Sequence, residues 1–233
     1  MEQLKRAVFF LILLRKTESK ARKVSQMYVP QYFKIDSWPE ISRFITENPL
    51  ATLVSRGGQY PAATHIPLEL EEDGKGGKVL SGHVAKGNPH WRLFEEHPNV
   101  LAIFLSPVQH YISSSWYNHP NVPTWNYMSV HVYGRLRIVA GDALRRSLES
   151  MTHYHEQISS HPLTPDVLHG EIEKQIGGIV GFEIDMERVE GAFKMSQNRN
   201  DEDYANIMKE LERLDDYNAR MVAKRMSEIR RVD

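Results

Sequence analysis

Apolar and polar residues alternate most cleanly between positions 130 and 138. Val130, Val132, Gly134, Leu136 and Ile138 fall on one side, and His131, Tyr133, Arg135 and Arg137 on the other. A period of two predicts a strand with one buried face. The stretch 179–186 repeats the pattern, with Val180, Phe182, Ile184 and Met186 on one side. "LATLVS" (50–55) and "YPAATHIPLEL" (60–70) flank Gly57-Gly58 and predict a hairpin. A second glycine-rich turn leads to "VLSGHV" (79–84). "VLAIFL" (100–105) is continuously apolar and predicts a buried strand, and "HYISS" extends another.

Helical spacing appears elsewhere. Ser37-Trp38-Pro39-Glu40 has the form of a capping box, followed by Ile41, Phe44 and Ile45 and stopped by Asn48-Pro49. "NPHWRLFEEHP" (88–98) predicts a short helix. Gly141-Asp142 opens a helix carrying Leu144, Leu148 and Met151, and Thr164-Pro165 opens another. From Asp201 onward Tyr204, Ile207, Met208, Leu211 and Leu214 form one stripe. Asp215-Asp216 interrupts, and a second helix runs to about Arg230.

The expected fold is therefore mainly β with helices (α+β), with six to seven antiparallel strands and C-terminal helices. Closure into a barrel is favoured because it removes exposed edges. The expected organisation is a barrel over 27–200, a helical segment over 201–233 packing on it, and a basic extension over 1–26. That extension holds seven Lys/Arg and two Asp/Glu, a net +5 that leaves the rest of the chain at −6. Its apolar run, Ala7 to Leu14, is too short for a membrane span, which needs about 20 residues. The bland reading, a disordered or loosely docked arm, outweighs a membrane-touching or targeting one.

Charge and composition narrow the function classes. An acidic body argues against a broad DNA-binding face. The absence of cysteine excludes disulfides, thiolate metal sites and thiol nucleophiles, and fits a reducing, cytoplasmic compartment. His153 and His155 are two apart on a predicted helix and point some 200° apart, so they do not chelate one ion together. No metal site is expected. There is no nucleophile elbow, Walker A loop or dinucleotide fingerprint.

Four segments carry candidate chemistry. Thr64-His65-Ile66-Pro67 is one. In "GHVAKGNPHW" (82–91), His83 and Lys86 flank a small-residue turn before a helix start, a combination suited to phosphate. "ISSSWYNHPNVPTWNY" (112–127) combines hydroxyls that donate to phosphate oxygens with Trp and Tyr rings that cover a flat ligand. "KMSQNRND" (194–201) adds Lys194, Gln197 and Arg199. Jointly they suggest a planar phosphorylated ligand, and FMN fits that description.

"MYVPQYF", "THIPLEL", "GHVAKGNPHW", "ISSSWY", "VPTWNY", "VHVYGR", "QIGGIVGFEI" and "SQNRND" occur in the order found in the PaiB-type family of FMN-binding negative transcriptional regulators, which the chain resembles from Met27 to about Arg230. The resemblance implies an FMN-binding split β-barrel of the pyridoxamine-phosphate-oxidase-like type. It also implies a homodimer with flavin at the subunit interface. By motif match His65, His83, Lys86 and Asn88 resemble cofactor-shell positions, and Ser114, Ser115, Trp116, Trp125 and Arg199 further pocket positions. One departure stands out. Relatives commonly carry Gly-Pro, two residues and then Tyr-Ile-Ser-Pro-Ser-Trp-Tyr. Here Ser106-Pro107 and three residues precede Tyr111, and Ser114 replaces the proline. The extra residue is expected to shift the loop or add a bulge.

Three functions follow as expectations. The first is a flavin-binding repressor working through a flavin-linked signal or a regulatory protein partner, since no DNA-reading motif is visible after residue 26. The second is a flavin-dependent oxidoreductase or flavin reductase. The third is a flavin-free interaction module.

Overall fold

The computed structural model describes residues 26–72 and 76–230. The chain divides into two units, Met1–Pro30 and Gln31–Asp233, and the strands and helices described here belong to the second. The expected extension over 1–26 lies, except for Gln26, outside the described residues.

Among the described residues nine strands form: β1 (Lys34–Ile35), β2 (Leu50–Ser55), β3 (Ala62–Pro67), β4 (Glu69–Glu72), β5 (Lys78–Ala85), β6 (Asn99–Leu105), β7 (His110–Ile112), β8 (Thr124–Val139) and β9 (Ile179–Lys194). Five α-helices accompany them: α1 (Trp38–Glu47), α2 (Asp142–Glu156), α3 (Pro165–Gln175), α4 (Asp201–Arg213) and α5 (Tyr217–Ile229). All strand pairings are antiparallel, in the order β3-β2-β6-β8-β9-β5-β4, with β1 added to β9 and β7 to β8. The result is a curled half-barrel, an α+β split barrel.

The count exceeds the six or seven expected for two local reasons. Lys34–Ile35 adds a short edge against Ala192 and Gly191. The apolar run 60–70 breaks at Leu68, which is fully buried and whose N–H donates to the Pro49 carbonyl. β3 therefore pairs with β2, and β4 with β5.

The two long strands, β8 and β9, are the spine. Both extend past their alternating segments. Trp125 lies within β8 because β7 and β9 pair with that end of the strand. Between Tyr133 and Gly134 the register shifts, leaving Glu187 as a bulge. The bulge reverses the inward parity of β9. Phe182 and Ile184 face the core before it, and Gly191 and Phe193 after it.

One facing expectation needs correction. Ile138 is exposed, and its neighbour Val139 is buried with Leu144 and Leu148. At this end of β8, α2 covers the opposite side of the sheet. One cap also differs: Ser37 makes no side-chain cap hydrogen bond, so the capping box does not form. The short helix expected over 88–98 is a 3-10 helix over 89–93, capped by Asn88.

The C-terminal helices share the barrel's core. Tyr204, Ile207, Leu211, Val222 and Met226 are fully buried in the same apolar cluster as Phe104, Val130 and Phe182. The Tyr204 hydroxyl donates to the Met226 carbonyl at 2.7 Å, joining α4 to α5. Burial pushes its phenol up to about 12, so it stays a donor at any working pH.

Candidate functional site

Strand registers place residues in rows across the outer side of the sheet, away from the core. One row runs His65–Thr52–Ile103–His131–Glu190, and the next runs Ala63–Val54–Leu101–Tyr133–Arg188. Thr52 Oγ1 lies 3.0 Å from His65 Nδ1. Arg188 stacks over the Tyr133 ring at 3.9 Å. His131 Nδ1 is buried without a hydrogen-bond partner. Around these polar groups the face is apolar: Leu50 is 64% exposed and Leu105 48%, beside half-buried Val54, Leu101 and Ile103. An uncovered apolar face with a few placed polar groups is the ordinary composition of a ligand or subunit surface.

Further along β8 the same side carries Tyr127 and Trp125, which is 53% exposed and meets Tyr111 edge-on at 6.1 Å. Lys194 is the register partner of Tyr127. His131 is four residues from Tyr127, about 13 Å of strand. Arg199 stacks over Tyr117 at 4.8 Å. Ser114 is exposed, whereas the Ser115 hydroxyl bonds that of Ser113 at 2.9 Å. Trp116 stacks on His110. Between Ser106 and His110 the Ser106 hydroxyl accepts the Val108 N–H. β7 then pairs in regular register with no bulge.

His83 and Lys86 sit elsewhere. His83 pairs with Gly181, in the row of Val139, eight residues along β8 from His131's row and about 26 Å of strand away. It lines a cavity of about 260 Å³ with Thr152, Glu171, Gln175 and Ile176. That is below the ~300–1,000 Å³ typical of pockets enclosing a drug-sized ligand. The Lys86 ammonium donates to the Gly177 carbonyl at 2.5 Å, and the Trp91 indole to the Lys86 carbonyl at 3.0 Å. A cavity of about 540 Å³ lies in the α2–α3 hairpin among Glu149, His153 and His169, and none of the expected cofactor residues lines it.

Asn88 belongs to a third group, built on a residue the motif reading passed over. His90 is buried. Its Nε2 lies 2.8 Å from Ser55 Oγ and its Nδ1 2.8 Å from Thr64 Oγ1. Asn88 donates to Thr64 Oγ1 and accepts the His90 N–H. The only sequence signal was a histidine two residues after a cap-forming asparagine.

Burial holds His83, His90 and His131 below the ordinary imidazole value of 6.5, with Glu190 partly opposing the effect at His131. The unfolded chain therefore binds more protons than the folded one as pH falls through 6.5. The stability these groups contribute is complete above 6.5 and is lost as pH drops towards their depressed values. Melting temperature measured from pH 7.5 down to 5.0 is expected to fall, with a shallower slope in His90→Gln. An unchanged slope would sink the assignment of His90 to this effect.

FMN requires a flat apolar wall, polar partners for the ring edge and a seat for a dianion. Trp125, Tyr127 and the exposed leucines fit the first, and His65, His131 with its orphaned Nδ1, and Tyr133 the second. Lys194 and Arg199 fit the third. The fold is that of a split barrel, and this face carries groups of the kinds a flavin needs.

Known proteins agree. Residues 27–188 match the family described as "Putative FMN-binding domain". The chain is 40% identical over 203 residues to Protease synthase and sporulation protein PAI 2 of Bacillus subtilis, covering 87% of this chain and 97% of that protein. It is 32% identical over 158 residues to an uncharacterized protein of Saccharomyces cerevisiae, covering 56% of this chain and 91% of that one. Among solved structures, the FAD and heme binding protein of Mycobacterium smegmatis superposes with a TM-score of 0.54 at 17% identity, over 74% of this chain and 78% of that one. The flavocytochrome Anf3 of Azotobacter vinelandii gives 0.53 at 19%, over 78% and 79%. At those identities the structures speak to the fold alone. The chain belongs to the PaiB-type FMN-binding family, and FMN is its cofactor.

Proposed function

We propose that this protein is a homodimeric, cytoplasmic FMN-binding negative regulator. The observation that carries the reading is the outer face of β2, β6, β8 and β9, left open among the described residues. It offers apolar area for a second copy, and in this reading His65, His131 and Tyr133 contact a flavin ring held between two subunits. Ser114 and Trp116 flank the Trp125 end of that face. The regulatory role rests on the similarity to the Bacillus subtilis protein, whose name concerns protease synthesis and sporulation.

The regulation is indirect, through a flavin-linked signal or a protein partner. α4 and α5 are joined by a short link, yet they do not offer a basic recognition surface. The first turn of α4 is acidic, with Asp201, Glu202 and Asp203. On α5, Arg220 pairs with Asp215, and Arg225 with Glu47 and Glu228. Among the described residues no helix is long and apolar enough to cross a membrane.

Leu50→Asp combined with Leu105→Asp is expected to convert a dimer to monomers in sedimentation and to weaken FMN in a fluorescence titration. A double variant that stays dimeric and keeps its flavin affinity refutes this placement. A salt-dependent, sequence-specific gel shift by the purified protein alone refutes the indirect mode. Flavin-reductase activity is the second reading, favoured by two imidazoles on the open face, one of them held neutral. Anaerobic reduction of bound FMN by NADPH at catalytic rates supports it. Absence of FMN binding leaves the flavin-free module.

A further inference from the structure

We propose that Lys194, Arg199 and the hydroxyls of Thr124 and Tyr117 form an oxyanion seat that takes a phosphate-class dianion. The Lys194 ammonium donates to Thr124 Oγ1. Arg199 lies over the Tyr117 ring at 4.8 Å. The Arg199 N–H donates to the Ser196 carbonyl at 3.0 Å, a turn that brings Arg199 back towards the end of β9, where Lys194 sits. Burial, and then the charge of Arg199, push the Lys194 ammonium below its ordinary value.

Among the described residues neither cation has an ion-pair partner, and the acids nearby are engaged with other groups. Asp201 pairs with Arg230. Glu202 accepts from the Asn118 side chain. Asp203 accepts from the Asn118 N–H and the Asn200 side chain and faces His119. Two neighbouring cations without a counterion raise the free energy of the folded state, and a bound anion relieves that.

Orphaned groups point the same way. Arg199 Nε and the Tyr117 hydroxyl are both buried without a hydrogen-bond partner, and Tyr117 is only 8% exposed. Buried donors left unpaired are rare in folded proteins. Stacking on Tyr117 explains where the guanidinium sits. It does not explain the unpaired Nε or the proximity of Lys194. A guanidinium fork beside an ammonium and two hydroxyls is suited to the oxygens of a phosphate.

The connecting loop is rigidly built. Ser196 takes a φ of 62°, unusual for a residue other than glycine, and its hydroxyl donates to Asn126 Oδ1. The Gln197 side chain accepts the Met195 N–H and donates to the Phe193 carbonyl. The position of Arg199 is thereby set before any ligand arrives.

Two sources could supply the dianion, the phosphate of FMN or a separate phosphorylated ligand. The seat does not depend on the flavin reading, because inorganic phosphate serves as the probe. Calorimetric titration of flavin-free full-length protein with inorganic phosphate is expected to show binding. Lys194→Met or Arg199→Met should weaken it about ten- to a hundredfold. Arg199→Lys should fall between, with its fold checked by circular dichroism, and Lys209→Met on exposed α4 should leave it unchanged. If FMN's own phosphate is the occupant, FMN-loaded protein takes up no phosphate, and Arg199→Met weakens FMN but not riboflavin. If the ligand is separate, FMN-loaded protein still binds phosphate. Failure to bind phosphate, or equal binding by wild type and both methionine variants, overturns the seat. Phosphate binding without any flavin binding would refute the flavin reading and leave the seat standing.

Discussion

His90→Leu is expected to destabilise the protein by about 3 kcal/mol, enough to lower its melting temperature by about 6–12 °C. The imidazole satisfies two hydroxyls at once, those of Ser55 and Thr64, each at 2.8 Å. Ser55 is buried, so its hydroxyl loses a partner that water does not readily replace. The triple variant Ser55→Ala, Thr64→Val, His90→Leu removes the orphaned hydroxyls together with the ring. It is expected to lose less stability than the single change, because removing both hydroxyls with the ring leaves only the half-buried Asn88 amide without its Thr64 partner. Urea unfolding of the two variants decides this. A triple variant less stable than the single one would show that the two hydroxyls still contribute after the ring is gone, through partners such as Asn88.

The second large effect is expected at the bulge. Gly134→Val should cost about 3 kcal/mol. A Cβ at Gly134 would stand 2.3 Å from the Asp185 carbonyl oxygen and 2.7 Å from Ile184 Cγ2. The first is backbone and cannot swing aside. Relief therefore requires β8 and β9 to separate where their register already shifts. Gly87→Ala is the control, since a Cβ there meets nothing within 4 Å, and its effect should stay within about 0.5 kcal/mol. If the two variants melt alike, the close approach at Gly134 is not a constraint. Because the bulge lies between the rows of Tyr133 and Arg135, Gly134→Val should also weaken FMN in the same preparation.

Much of this architecture could be read from local pattern. The period of two in 130–136 requires one face inside, and Val130, Val132 and Leu136 are inside. The helical stripe of Tyr204, Ile207 and Leu211 is buried as its spacing demands. Hairpin turns between short alternating runs could scarcely yield anything but an antiparallel sheet. The bulge at Glu187 escaped because it has no composition of its own. It arises from the mismatch of two long strands paired over their whole length, and it reverses which residues of β9 face inward.

The candidate site was legible in part. Residue types suited to a phosphorylated planar ligand were visible, but their grouping was not. His65 joins Thr52 and His131 only because β2, β6 and β8 are neighbours in the sheet, although β2 and β8 lie far apart in sequence. His83 and Lys86 read as partners of His65, yet His83 lies in the row of Val139 beside α2 and α3, and Lys86 follows the end of β5 and donates to Gly177. Lys194 and Arg199 gained significance only when the nearby carboxylates were found bound to other groups.

What the sequence by itself determined, then, is the strand and helix faces, the apolar core and the chemical inventory, since these depend on the period and type of residues near one another in the chain. Only the tertiary structure decided which polar groups meet. Strand register sets that, and register depends on distant pairing and on a single bulge.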